Sequence, residues 1–280
     1  MLDAAGLLTR AMRGLSEPLR GLAAGPMEQF EIQTIFPLGI GDAFDVSFTN
    51  ASLWMLIGLG TAVLFFTWAT RRSQLIPAGP QGAAEVVYEF IAKMVRDTMG
   101  EDGRRFFPFV FTLFVFVFLS NFLGLLPSIP GTPHEMHTFT PTSHIIVTFA
   151  LAVMSVGLVL VYGLYKHGFG FLRLFAPSGV PVWLLPLITP IEIISFLSRP
   201  ISLAVRLFAN MLAGHVVLKV FAGFVATLLA AGPVLGAVAI LPLLGIVGVF
   251  ILEFLVAFLQ AFVFAILTCI YLQDALHPSH

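Results

Sequence analysis

The chain has 280 residues, of which 58% are hydrophobic and 10% charged, with a mean hydropathy of +0.98. Soluble domains hold about 45–50% apolar and about 25% charged residues, so lipid rather than water must solvate this chain. The formal net charge of -1, from 14 basic and 15 acidic side chains, offers no polybasic footprint for nucleic acid.

The first residues, MLDAAGLLTRAMRGLSEPLRGLAAG, lack the sustained apolar core of a secretory signal. Leu8, Ala11, Leu15, Leu19 and Leu22 recur at helical spacing, which predicts a short interfacial helix within an outer-side N-terminal segment, 1–50. Asp3 and Glu17 speak against a mitochondrial presequence, because transit peptides are poor in acids.

About 20 apolar residues span a bilayer as a helix. The first such run is 51–70, stopped by Arg71 and Arg72; the second, 106–126, is rich in phenylalanine; the third, 145–165, ends at Lys166. Between the first two, 82–103 reads as an amphipathic helix lying in the interface. Val87, Phe90, Ile91, Met94 and Thr98 trace one face, and Glu85, Glu89, Lys93 and Arg96 lie mainly on the other. The phenylalanine run VFTLFVFVFL reads as lipid-facing and helix-packing surface, and Cys269 as a buried packing residue.

Lysine and arginine set the orientation. Arg71, Arg72, Lys93, Arg96, Arg104 and Arg105 put 71–105 on the inner side; the loop from Pro127 to His144 has neither residue type and lies outside; Lys166 and Arg173 return the chain inside. The N-terminus is then outside. Two further stretches, 183–231 and 234–272, read as helices about 60–70 Å long, twice the hydrocarbon thickness, so they must bend or cross obliquely. Pro190 and Pro200 offer kinks in the first of them. The fold class is therefore an all-α polytopic membrane protein with about five crossings, the last two long and oblique, forming one membrane domain that ends inside.

The long pair holds the informative residues. Glu192, Ser195, Arg199, Ser202, Arg206 and Asn210 are three or four apart and fall within about an 80° arc of one helix face. His215 and Lys219 follow, and Glu253 and Gln260 share a face of the second helix. Charge at bilayer depth costs about 2.5–3.5 kcal/mol per residue on insertion scales and marks ion paths or partner interfaces. Glutamate and histidine can pass protons, whereas guanidinium holds its proton at any working pH and so acts as a fixed barrier. From Trp183 to Leu272 the acids are Glu192 and Glu253 and the bases Arg199, Arg206 and Lys219. Arg206, about 21 Å along the helix from Glu192, lacks an obvious local counter-ion, which points to a carboxylate on another chain. For Arg199, beside Pro200, a structural role and a channel role are equally open.

The string SRPISLAVRLFANMLAGH, followed by FLVAFLQAFVFAILTCIYL, resembles subunit a of F-type ATP synthases of the alphaproteobacterial and mitochondrial kind. The similarity extends from the first span to the C-terminus, with NFLGLLP and the PTSH-led span in family order. It implies that Arg206 is the essential arginine facing the ring of c subunits. It further implies that Asn210, His215, Glu253 and Gln260 belong to the half-channel open to the outside, and Glu192, Ser195 and Ser202 to the one open inside. His144, at the head of a span, is expected near the outer mouth. Some bacterial members have an acid where His215 stands and a histidine where Glu253 stands; here the pair is exchanged, with the same proton-handling inventory. Lys219 is absent from some members.

The implied partners are the c ring, b-type stator subunits, the remaining ATP synthase subunits and membrane lipid, in a bacterial inner membrane or, alternatively, the mitochondrial one. No cofactor or metal is expected: the loop pattern HEMH (His134, Glu135, His137) lacks the helical i, i+4 spacing of a zinc pair. No G-x-x-x-x-G-K-[ST] occurs, so nucleotide chemistry is expected on other subunits. The alternative is a stand-alone proton-coupled secondary transporter, against which counts the lack of a repeat relating the first three spans to the last two.

Overall fold

In the computed structural model, residues 32–37, 39–40, 44–45, 47–71, 74–126, 139–168, 171 and 182–276 are described. The expected N-terminal interfacial helix, the HEMH loop and Arg173 lie outside these residues. Five helices are long and apolar enough to cross a membrane, and the protein is an all-α polytopic membrane protein.

Two small antiparallel hairpins, unforeseen in the sequence, precede the helices. Strand β1 (Thr34–Phe36) pairs with β4 (Phe48–Thr49), and β2 (Gly39–Ile40) pairs with β3 (Phe44–Asp45) inside it. The ribbon feeds directly into α1 (Asn50–Thr70), where Thr49 caps the helix through Ser52 N–H at 3.4 Å. The Asn50 side chain accepts from the backbone N–H of Gln33 at 3.2 Å, tying β1 to the start of the span.

Helix α2 (Pro80–Met99) begins with proline at its first turn, where the missing N–H costs nothing. Its buried residues, among them Ala84, Ile91, Met94, Val95 and Met99, form one stripe, while Glu89, Lys93 and Arg96 are exposed. Phe90 remains 37% exposed yet its ring lies against Phe114, Phe258 and Phe262. The helix stops at Met99, short of 103, because Gly100 takes φ +63°; a 3-10 turn, Gly100–Arg105, replaces its last turn.

Helix α3 (Phe107–Gly124) turns much of its surface to its neighbours. Val110, Leu113, Phe114, Val115 and Val117 are buried, and Phe111, Phe116 and Phe118 pack against that core. Helix α4 (Ile145–His167) follows a short 3-10 turn, Pro141–Ser143, and Lys166 near its end donates to the Leu276 carbonyl at 3.0 Å.

Helix α5 (Leu185–Ala230) has 46 residues and is continuous through both Pro190 and Pro200. At 1.5 Å per residue it is about 69 Å long. Its partner is not one helix from 234. A short α6 (Pro233–Val238) follows Gly232, which takes φ +110°, and α7 (Ile240–Leu276) starts after Ala239. Three cross-links fix α5 antiparallel to α7: Arg199 with Asp274, Asn210 with Gln260, and His215 with Glu253. Cys269 on α7 is fully buried, as its apolar surroundings predict.

Candidate functional site between the long helices

The buried residues of α5, including Phe196, Leu203, Leu207 and Met211, turn one stripe of that helix towards its neighbours. By helical geometry the polar residues fall on both flanks of this stripe. Ser195, Ser202, Arg206 and Asn210 lie on one flank and are exposed. His215 lies on the other.

Arg206 is exposed and takes part in no ion pair among the described residues. It therefore stands on a side of α5 that the described residues leave uncovered. Arg199 is different. Its Nη1 donates to Asp274 Oδ2 at 3.1 Å, and its guanidinium lies 4.7 Å from the Tyr271 ring centre. A count of charges within 183–272 misses this partner, since Asp274 sits just beyond that window.

On the opposite side, Glu253 is 5% exposed and Gln260 4% exposed. Glu253 Oε1 is 3.9 Å from His215 Nδ1. Among the described residues, neither carboxyl oxygen of Glu253, nor Gln260 Nε2, has a hydrogen-bond partner. Gln260 Oε1 accepts from Asn210 Nδ2 at 3.0 Å, so Asn210 bridges the two flanks. Gly214 makes the approach possible: a methyl group there would overlap the Glu253 carboxyl group.

His215 touches more than Glu253. Its Nδ1 is 2.9 Å from the Met211 carbonyl, and its Nε2 lies 3.0 Å from the Gly124 carbonyl and 3.1 Å from Thr140 Oγ1. Nearby, Thr142 Oγ1 donates to Asn121 Oδ1 at 2.6 Å, and Asn121 Nδ2 reaches the Ala257 carbonyl at 3.5 Å. Asn121, Thr140 and Thr142 are buried polar residues to which the sequence reading gave no role. Asn121 opens the string NFLGLLP and Thr142 stands in PTSH, whereas Thr140 lies just before the latter and in neither string.

The remaining expected residues are not gathered into one cluster. His144 stacks on Phe139 at 4.9 Å between ring centres, and its buried Nε2 has no hydrogen-bond partner among the described residues. Burial pushes its imidazole below the ordinary value. Glu192 is half-buried, Ser198 donates to the Ser195 carbonyl at 2.7 Å, and Ser202 donates to the Arg199 carbonyl at 3.1 Å. Among the described residues, no group of three or more histidine, cysteine, aspartate or glutamate side chains is placed to hold a metal.

Five apolar spans and a seam where a buried acid and amide meet a half-buried imidazole define a multi-pass membrane protein with ionisable groups in its helix packing. The family model described as ATP synthase A chain matches residues 52–273. The chain is 56% identical to ATP synthase subunit a of Chelativorans sp. (strain BNC1) over 259 residues, 92% of this chain and 100% of the relative. To that of Rhizobium etli (strain CIAT 652) it is 58% identical over 254 residues, 91% and 98% respectively. Maricaulis maris (strain MCS10) has a relative of the same name at 54% over 258 residues, again 91% and 98%. The chain belongs to the ATP synthase subunit a family. It is a membrane-sector component of an F-type ATP synthase, working with the other subunits rather than as an enzyme alone.

Proposed function

We propose that this chain is the proton-conducting stator subunit of that complex, passing protons through two offset half-channels to and from carboxylates on the c ring. The outer path runs through Asn210, His215, Glu253 and Gln260, with His144 near its mouth; the inner path runs past Glu192, Ser195 and Ser202. Arg206 separates them. The membrane is the bacterial inner membrane, with the N-terminus outside and the C-terminus inside, and b-type stator subunits hold the chain against rotation.

One observation carries this reading. Arg206 is exposed on an apolar helix and unpaired within the described residues, while Arg199, two turns earlier, is neutralised by Asp274. A permanent cation at bilayer depth is costly, and a carboxylate arriving on a neighbouring subunit offsets that cost. Because guanidinium keeps its proton, it blocks a direct leak between the paths and attracts each ring carboxylate in its ionised form. The buried atoms of Glu253 and Gln260 that lack partners support the path. Unsatisfied polar groups are expensive in apolar surroundings, and they persist where water or a proton is handled.

Each proton moved through 100 mV supplies about 2.3 kcal/mol, which the ring converts to rotation. The test is ATP-driven proton pumping in inverted membranes carrying the whole complex. With Arg206→Ala, coupled pumping is expected to vanish while ATP hydrolysis by the attached complex persists. Coupled pumping at the wild-type rate would refute the mechanism.

A further inference from the structure

The ring nitrogens of His215 lie within hydrogen-bond distance of three protein oxygens. Nδ1 lies 2.9 Å from the Met211 carbonyl, one helical turn back. A carbonyl only accepts, so a good hydrogen bond there requires a proton on Nδ1. The tautomer is thereby fixed, and the change of protonation falls to Nε2. That nitrogen faces two oxygens of different kinds: the Gly124 carbonyl at 3.0 Å and the Thr140 hydroxyl at 3.1 Å.

These two oxygens suit the two states of the ring. When Nε2 carries a proton, it donates to the Gly124 carbonyl. When Nε2 is bare, its lone pair would face that carbonyl unfavourably, and only the Thr140 hydroxyl can turn its hydrogen towards it. We infer that Thr140 is a positioning residue for proton passage, a rotatable donor that lets His215 give up and regain the Nε2 proton without turning its ring. In this step the N–H bond at Nε2 breaks as its proton passes to a water molecule in the path, the electron pair stays on Nε2, and the Thr140 O–H rotates to donate onto that lone pair.

The backbone is shaped for this. A methyl group on Gly124 would overlap the Thr140 side chain, so only glycine lets the C-terminus of α3 and the 140–143 turn meet here. Ser143, whose Oγ donates to the Thr140 carbonyl at 2.7 Å, holds the turn closed. Glu253 from α7 faces the ring, with Oε1 3.9 Å from Nδ1; in sequence, His144 directly follows the 141–143 turn and Lys219 lies one helical turn further along α5. The α3 sequence, Phe107–Gly124, contains no titratable or charged side chain. Thr140 Oγ1 thus stands at Nε2, and Glu253 Oε1 stands at the other nitrogen.

This inference rests on the proposed role of His215 in the outer path, and the test separates the two. ATP-driven pumping by the whole complex is measured from pH 5.5 to 9 for the wild type, Thr140→Val, Thr140→Ser and His215→Ala. Thr140→Val keeps the shape but cannot donate. Its pumping is expected to fall about five- to tenfold at neutral pH, the worth of one buried hydrogen bond. The pH profile is expected to move to higher pH by up to about one unit, because the bare ring has lost its donor. Thr140→Ser restores both.

An unchanged profile in Thr140→Val, or a Thr140→Ser that behaves like it, overturns the inference. Normal pumping in His215→Ala would instead sink the underlying role of His215. If Thr140→Val fails to assemble, Thr140→Ala is read against the same criteria.

Discussion

Gly214→Ala is the most local way to disturb the buried pair. A Cβ at this position would lie 2.6 Å from Glu253 Cδ and 2.9 Å from Cγ, and would overlap Oε1. The helices cannot simply part to make room. Asn210 and Gln260, one turn away, hold them at 3.0 Å, and Arg199 with Asp274 does so further along at 3.1 Å. The carboxyl group must therefore swing aside, opening the 3.9 Å approach to His215. Overpacking a tight seam costs about 1–3 kcal/mol. Alanine in place of glycine within a helix returns about 1 kcal/mol. The net cost is small enough for assembly, so the effect should appear in transport. ATP-driven pumping is expected to drop about tenfold or more while the amount of assembled complex, assayed by ATP hydrolysis, stays near normal. Gly157→Ala, at a helical glycine with nothing within 4 Å of the added methyl, serves as the control. Wild-type pumping by Gly214→Ala would show that the carboxyl position does not matter.

Two further outcomes follow from single contacts. Asp274→Asn removes the charge partner of Arg199, but the two side chains are 39% and 25% exposed, so screening limits the loss to under about 1 kcal/mol. A small fall in thermal stability with near-normal pumping is expected; abolished pumping would mean that Arg199 needs Asp274 for more than docking the end of α7. At His144, burial favours the neutral imidazole. The unfolded chain takes up a proton as pH falls below about 6.5 and the folded chain resists, so stability is lost as pH falls through that range. His144→Phe, which keeps an aromatic ring against Phe139, is expected to flatten this dependence in thermal-shift measurements; an unchanged acid limb would contradict it.

Much of this architecture is legible in the sequence, for physical reasons. Spans are bounded by charges that lipid excludes, so Arg71 and Lys166 mark ends that the helices respect to within a few residues. The spacing of Arg206, Asn210 and their neighbours gives a common helix face without any coordinates. Tertiary partners are harder. Asp274 meets Arg199 across 75 residues of chain, and the oxygens at His215 include two main-chain carbonyls, which no side-chain pattern announces. Gly100 and Gly103 were both visible near the end of α2, but only the positive φ at Gly100 decides that the helix stops at Met99. The break at Ala239 likewise leaves no polar mark in an otherwise apolar run. The hairpins before α1 pair only two or three residues per strand, too few to give a pattern.

The uncovered face of α5 can be probed directly by placing a photo-crosslinking residue at Ser202, which is exposed one turn before Arg206 and leaves that arginine intact. Irradiated in the assembled complex, position 202 is expected to capture the small carboxylate-bearing ring subunit, whereas the same residue at Leu207, fully buried, captures its own chain. Adducts at 202 with lipid alone, or within this chain alone, would contradict the claim that a neighbour's carboxylate answers Arg206.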